Sequence, residues 1–174
     1  MFIFQFFAKL LKILRSAASP GQIAGGFILG MIIGLTPMMS LHNLIILFLI
    51  IILNVNMAMA IFSFGIFSGV AYLLDPLFHS FGYFLLADLT SLKGFYTSLY
   101  NIPVIALSRF NNTVVMGSLV TSIILLIPVY FLTIKGVNFY RENIDPKFQK
   151  WKVVKVVKGS KFYSIYEKVK IWGE

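Results

Sequence analysis

From Ser16 to Leu74 the chain contains no Asp, Glu, Lys or Arg, and a second such stretch runs from Phe110 to Ile134. A helix that crosses about 30 Å of hydrocarbon needs roughly 20 apolar residues. The first stretch therefore has room for more than two passes and the second for one. Ser19-Pro20 opens a helix, because the Ser side chain accepts from an orphan amide and Pro at the first helical position loses nothing by lacking an N–H. Thr36-Pro37 stops or kinks it. The predicted helix over 20–35 is about 24 Å long, and the next apolar run, 41–53, is about 20 Å before Asn54-Val55-Asn56 ends it. Both fall short of a full crossing. A single kinked helix over 20–53 would be about 50 Å long and would need extreme tilt, so the pattern favours a re-entrant hairpin or two short crossings around Pro37.

Met57 to Leu74 reads as an ordinary crossing capped by Asn56, with Asp75-Pro76 as its stop and as the start of a further helix, so that the chain changes sides there. Residues 77–110 are the least legible. They are apolar but punctuated by His79, Gly82, Asp88, Pro103 and Arg109, and the pattern leaves open whether they span or lie at the interface. Asn111-Asn112-Thr113 then caps a last crossing, Val114 to Ile134, ended by Lys135-Gly136 and kinked near Pro128. At the N-terminus, Phe2, Phe6, Leu10 and Ile13 or Leu14 recur at helical spacing among Lys9, Lys12 and Arg15, which predicts an amphipathic helix along the interface. Its bases follow the first apolar run, the wrong order for a cleaved signal. In the tail after Asp145-Pro146, periodicity leaves the run KVVKVVK open between helix and strand.

Composition narrows the class further. With 174 residues, 59% hydrophobic and 12% charged, the chain reads as an all-α polytopic membrane protein with one small membrane domain over 19–136. It is flanked by the amphipathic helix, 1–18, and a basic tail, 137–174. The net charge of +9 resides at the two ends, since Asp75, Asp88, Lys93 and Arg109 cancel. Both termini are thus expected on the cytoplasmic side of the membrane. Attraction to anionic lipid headgroups accounts for the bases more economically than nucleic acid does. The absence of Cys removes thiolate chemistry and Cys-based metal sites.

The candidate chemistry is sparse. Gly26, Gly30 and Gly34 stand four apart and give one helix face without side chains, suited to close packing or to lining a substrate path. His42 and Asn43, just past Pro37, are polar groups in an apolar run; they line a site or cap the following helix. Asp75 and His79 lie four apart, where a carboxylate orients an imidazole in a proton relay that Asp88 extends; alternatively Asp75 is only a helix cap. Asn54 and Asn56 suit turns. No HExxH, GxSxG, P-loop or dinucleotide fingerprint is present, so neither an enzyme, a metal site nor a cofactor is expected.

The segment SPGQIAGGFILGMIIGLTPMMSLHNLIILFLIIILNVNMAMA, followed by DPLFHSFG, resembles an uncharacterised family of small bacterial inner-membrane proteins. That family has a Ser-Pro opening, a glycine ladder, a proline after it, an Asn-rich break and an Asn-Pro or Asp-Pro step; RFNNTVVMGS is similar to the hallmark of a narrower subgroup. The resemblance covers about Ser19 to Ile134, and its recurring elements fall on Ser19, Pro20, Gly26, Gly30, Gly34, Pro37, Asn56, Asp75, Pro76, Asn111, Asn112 and Thr113. It implies membrane placement and no reaction, and Asp75, where the family commonly has Asn, weakens the case for a required carboxylate. The leading functional expectation is assistance to the movement of a lipid or lipid-linked substrate, as a translocation element or as the membrane anchor of a lipid-handling complex. A structural subunit, bound to a larger envelope protein or to further copies of itself, and a proton-coupled small-solute transporter are the alternatives.

Overall fold

The computed structural model describes residues 2–150; the KVVKVVK run and most of the basic tail lie outside them. The described residues form helices α1 (Phe2–Leu14), α2 (Pro20–Leu35), α3 (Leu41–Ile52), α4 (Met57–Tyr83), α5 (Lys93–Tyr100), α6 (Pro103–Ala106), α7 (Thr113–Phe139) and α8 (Asp145–Lys150). No strand occurs among them. The chain divides into two compact units, Met1–Lys135 and Gly136–Glu174.

A reciprocal cap sets the start of α2. Gln22 N–H donates to Ser19 Oγ at 3.2 Å, and Ser19 N–H donates to Gln22 Oε1 at 2.8 Å, so two orphan amides are satisfied at once. At the far end Thr36 turns to extended backbone, as the residue before a proline is bound to do. Pro20 to Leu53 is therefore two short helices around a break, not one kinked rod. α3 returns antiparallel to α2: Asn43, at its start, bonds to the turn after α2, while Val55, just past its end, lies against Gly25 near the start of α2.

Asn56 then starts α4 beside the start of α2. Its N–H donates to Gln22 O at 2.9 Å, and its Oδ1 accepts from Met59 N–H at 2.8 Å. Gly26 faces Asn56 and Ala60, Gly30 faces Ala60, and Gly34 faces Phe64, Phe67 and Ser68. The two helices thus run side by side in the same direction with their backbones in contact. Ser63, fully buried, adds a bond from its Oγ to Phe27 O at 2.6 Å. Around this seam Ile28, Leu29, Ile32, Ile33, Ile50 and Ala60 form one apolar cluster, and Met31, Leu35 and Phe78 form another.

Asp75-Pro76 does not end a helix. α4 passes through both residues to Tyr83 and continues as a π-helical turn over Phe84–Asp88, so the expected change of direction is absent. Interior proline costs about 3 kcal/mol or more. Here packing on both sides offsets it: α2 holds α4 before Pro76, and after it Phe78 and Gly82 pack on α7. The chain turns instead through residues 89–112, which contain only short helical pieces, and Arg109, at φ 57°, adopts the left-handed conformation just before the Asn111-Asn112 turn. Asn112 Oδ1 accepts from Val114 and Val115 N–H, capping α7.

α7 runs back along α4. Gly82 and Gly117 face each other's helix backbones across this crossing, and Tyr130 reaches Gly21 at the opposite end. Ser118 and Ser122, fully buried, return their hydroxyls to Val114 O and Ser118 O at 2.7 Å each, which leaves a small, apolar-behaving face. Gly136 does not stop α7, which continues to Phe139; a glycine terminates a helix by taking positive φ, and no described glycine does so. In the second unit Tyr140–Ile144 forms a π-helical turn, and Tyr140 Oη lies 3.4 Å from Asp145 Oδ1.

Two helical runs, Met57–Asp88 and Thr113–Lys147, are long and apolar enough to cross a membrane. Only 17% and 22% of their most apolar windows is buried inside the protein.

Candidate functional site

The short hairpin of α2 and α3 ends alongside the middle of α4, and its tip concentrates polar groups. Thr36 Oγ1 lies 2.8 Å from Ile32 O and 2.9 Å from Asn43 Oδ1, so its single proton serves one acceptor at a time. Asn43, 2% exposed, donates from Nδ2 to Pro37 O at 3.0 Å and to Met38 O at 3.4 Å. Its side chain therefore reaches back to clamp the turn and does not cap α3. The helix-start residue is Ser40, whose side chain makes no capping bond.

Three buried side-chain polar atoms among the described residues meet no hydrogen-bond partner in the protein: Ser40 Oγ, His42 Nδ1 and His42 Nε2. All three belong to this tip. A buried polar atom left unpaired costs about 1–3 kcal/mol, so the tip carries unspent capacity for a polar ligand.

Between the tip and α4 lies a cavity of about 450 Å³ lined by Thr36, Pro37, Met38, Ser68, Tyr72 and Asp75. Pro37 causes it, because the break stops α2 while α4 continues. Ser68, Tyr72, Asp75 and His79 follow the spacing i, i+4, i+7, i+11, a polar stripe on one face of α4. Thr36 flanks the proline, and Ser68 and Tyr72 were not singled out by motif; the stripe was the available signal.

The glycine ladder is used within the chain. A Cβ at Gly26 would meet the Asn56 carbonyl and one at Gly30 the Ala60 carbonyl, while at Gly34 it would lie 2.8 Å from Phe67 Cβ. α4 fills the groove.

Asp75 is half-buried inside α4. It is not a helix cap, because a cap needs non-helical backbone and the helix is unbroken there. His79, one turn on, has its Nδ1 2.7 Å from Thr113 Oγ1. Asp88 is exposed at the end of the π-helical turn, about 20 Å along the axis from Asp75, so these three groups do not meet at one place. Among the described residues no three His, Asp or Glu side chains converge to hold a metal.

An uncharacterised protein of Treponema pallidum (strain Nichols) is 29% identical over 139 residues, covering 80% of this chain and 85% of its own. No solved structure matches. The profile of a bacterial family described as "Uncharacterized protein conserved in bacteria (DUF2062)" matches residues 5–144, and by that match, which takes in both the hairpin and the two long helices, the chain belongs to this family.

Proposed function

We propose that the protein is embedded in the bacterial inner membrane and assists the movement of a lipid or lipid-linked substrate, its polar headgroup passing the hairpin tip while its acyl chains remain in the bilayer. The observation that carries this reading is the set of unpartnered polar atoms at Ser40 and His42 on the hairpin tip, whose Thr36, Pro37 and Met38 line a cavity that Asp75 reaches. Polar, irregular backbone at membrane depth is tolerated where it lines a cavity, and α2–α3 is read here as a re-entrant hairpin held between two crossings, α4 and α7. The mostly exposed apolar surface of both long helices supports this placement, because a soluble core helix would be covered.

In this topology the starts of α2 and α4 and the end of α7 lie on the cytoplasmic side. Single cysteines introduced at Ser16, and at Ser160 outside the described residues, should resist impermeant thiol reagents added to intact spheroplasts. Labelling of either from outside would sink the topology.

The function is tested with the full chain reconstituted in liposomes containing a fluorescent phospholipid, by measuring how much label a membrane-impermeant reductant reaches. The expected result is reduction of inner-leaflet label that a His42→Leu, Ser40→Ala variant abolishes. Wild-type vesicles indistinguishable from empty ones would favour the membrane-anchor version of this reading. Asp75 at the cavity favours a second reading, proton-coupled solute transport, which requires a strong, pH-dependent loss in Asp75→Asn. A structural subunit is the weaker alternative, since the glycine ladder on which it drew is occupied by the chain's own α4.

A further inference from the structure

A second concavity lies along α4, against α1. Phe6 stacks on Phe62, with ring centroids 4.6 Å apart, and holds the two helices together. Between them runs a groove of about 650 Å³ with Phe6, Ile13, Ile61, Phe62 and Ile66 among its lining, within the usual range of about 300–1,000 Å³ for ligand sites. Lys9 and Lys12 also line it and no carboxylate does. They stand three apart on one helix and so share a face. An apolar floor beside two ammonium groups is complementary to an amphiphile with a negative head.

We propose that this groove is a binding site for an anionic phospholipid, one acyl chain lying along Phe62 and Ile66 and the phosphate held by Lys9 and Lys12. The inference rests on the membrane placement proposed above but not on lipid movement. A zwitterionic lipid would leave the ammonium pair without a net countercharge.

Gly65 gives a clean way to block the groove. It lines the site, and a Cβ added there meets no heavy atom within 4 Å, so Gly65→Phe adds bulk at the groove with no clash at its Cβ. Gly69 is equally open but lies outside the groove and serves as the control. The full chain is purified from vesicles of equimolar phosphatidylglycerol and phosphatidylcholine, and retained lipid is counted by native mass spectrometry. Wild type and Gly69→Phe should retain phosphatidylglycerol preferentially. At about fivefold per lysine near a membrane surface, Lys9→Gln with Lys12→Gln should reduce the preference about thirtyfold. Gly65→Phe, with both lysines intact, should abolish retention.

Preference unchanged in Gly65→Phe would overturn the site and leave only diffuse attraction to the basic helix. A dimer sensitive to Gly65→Phe, with no retained phospholipid, would assign the groove to a second copy and also overturn it. Retention is read without transport. Loss of lipid movement with retention intact would therefore count against the proposed function alone, and the converse against this site alone.

Discussion

The seam between α2 and α4 and the tip of the α2–α3 hairpin belong to one uncharged stretch of sequence, yet they are built on opposite principles. At the seam, glycines let backbones touch, and the one buried side-chain hydroxyl, Ser63, is paired. At the tip the helices part, a cavity opens, and Ser40 and His42 are left with polar atoms unpaired. In the membrane placement proposed above, apolar side chains would gain little by leaving acyl chains for each other, so close contact of small residues would supply the cohesion. The tip forgoes that cohesion. The difference separates what holds this protein together from what is available to bind.

The largest expected effect breaks the seam. Gly30→Leu drives a branched side chain into the Ala60 carbonyl, and at the separate α4–α7 crossing Gly82→Leu drives one into the Thr113 carbonyl. Overpacking costs about 1–3 kcal/mol and more where backbone must move, so thermal denaturation in detergent should show strong destabilisation. Leu29→Ile, which conserves volume, should cost less than about 1.5 kcal/mol. A Gly30→Leu protein as stable as wild type would remove the ladder as the source of cohesion.

Within the tip, Asn43 and His42 should behave oppositely. Asn43→Leu strands the Pro37 and Met38 carbonyls and should cost about 1–3 kcal/mol. His42→Leu removes ring nitrogens that nothing in the protein satisfies, so stability should hold or rise by up to about 1 kcal/mol while lipid movement falls. Equal destabilisation by the two would make the tip a structural turn and nothing more. On the open flank of α4, Gly65→Ala should stabilise by about 0.5–1 kcal/mol through helix propensity alone, against the large loss at Gly30; a loss at Gly65 would mean that the flank is covered.

The smallest expected change in stability is that of Asp75→Asn, within about 0.5 kcal/mol, because no cap is lost from the middle of α4. Its transport phenotype is the sharper measurement. A modest, pH-independent decrease fits a carboxylate that lines the tip cavity and contacts the proposed substrate without titrating. A pH-dependent abolition, matched by His79→Ala, would promote the proton-coupled reading, in which the His79–Thr113 contact would have to rearrange.

Much of this architecture was written locally. Ser19-Pro20, Thr36-Pro37, Asn56 and Asn112 are caps and breaks whose physics operates within four residues, so α2, α3 and the starts of α4 and α7 could be read from the chain alone. Where sequence signals misled, at Asp75-Pro76 and Lys135-Gly136, the deciding energy came from elsewhere: Pro76 is carried through because α2 and α7 grip α4 on either side of it, and no residue near the proline encodes those partners. The glycine spacing declared a close contact but not with which helix. Only the fold assigned Gly26, Gly30 and Gly34 to α4 and paired Gly82 with Gly117. The candidate sites were least legible of all, because a cavity is made by where helices diverge. Pro37 announced the break, but its facing Asp75, and the placing of Lys9 and Lys12 on one groove with Phe62, follow from the lateral packing of segments some forty to fifty residues apart in sequence.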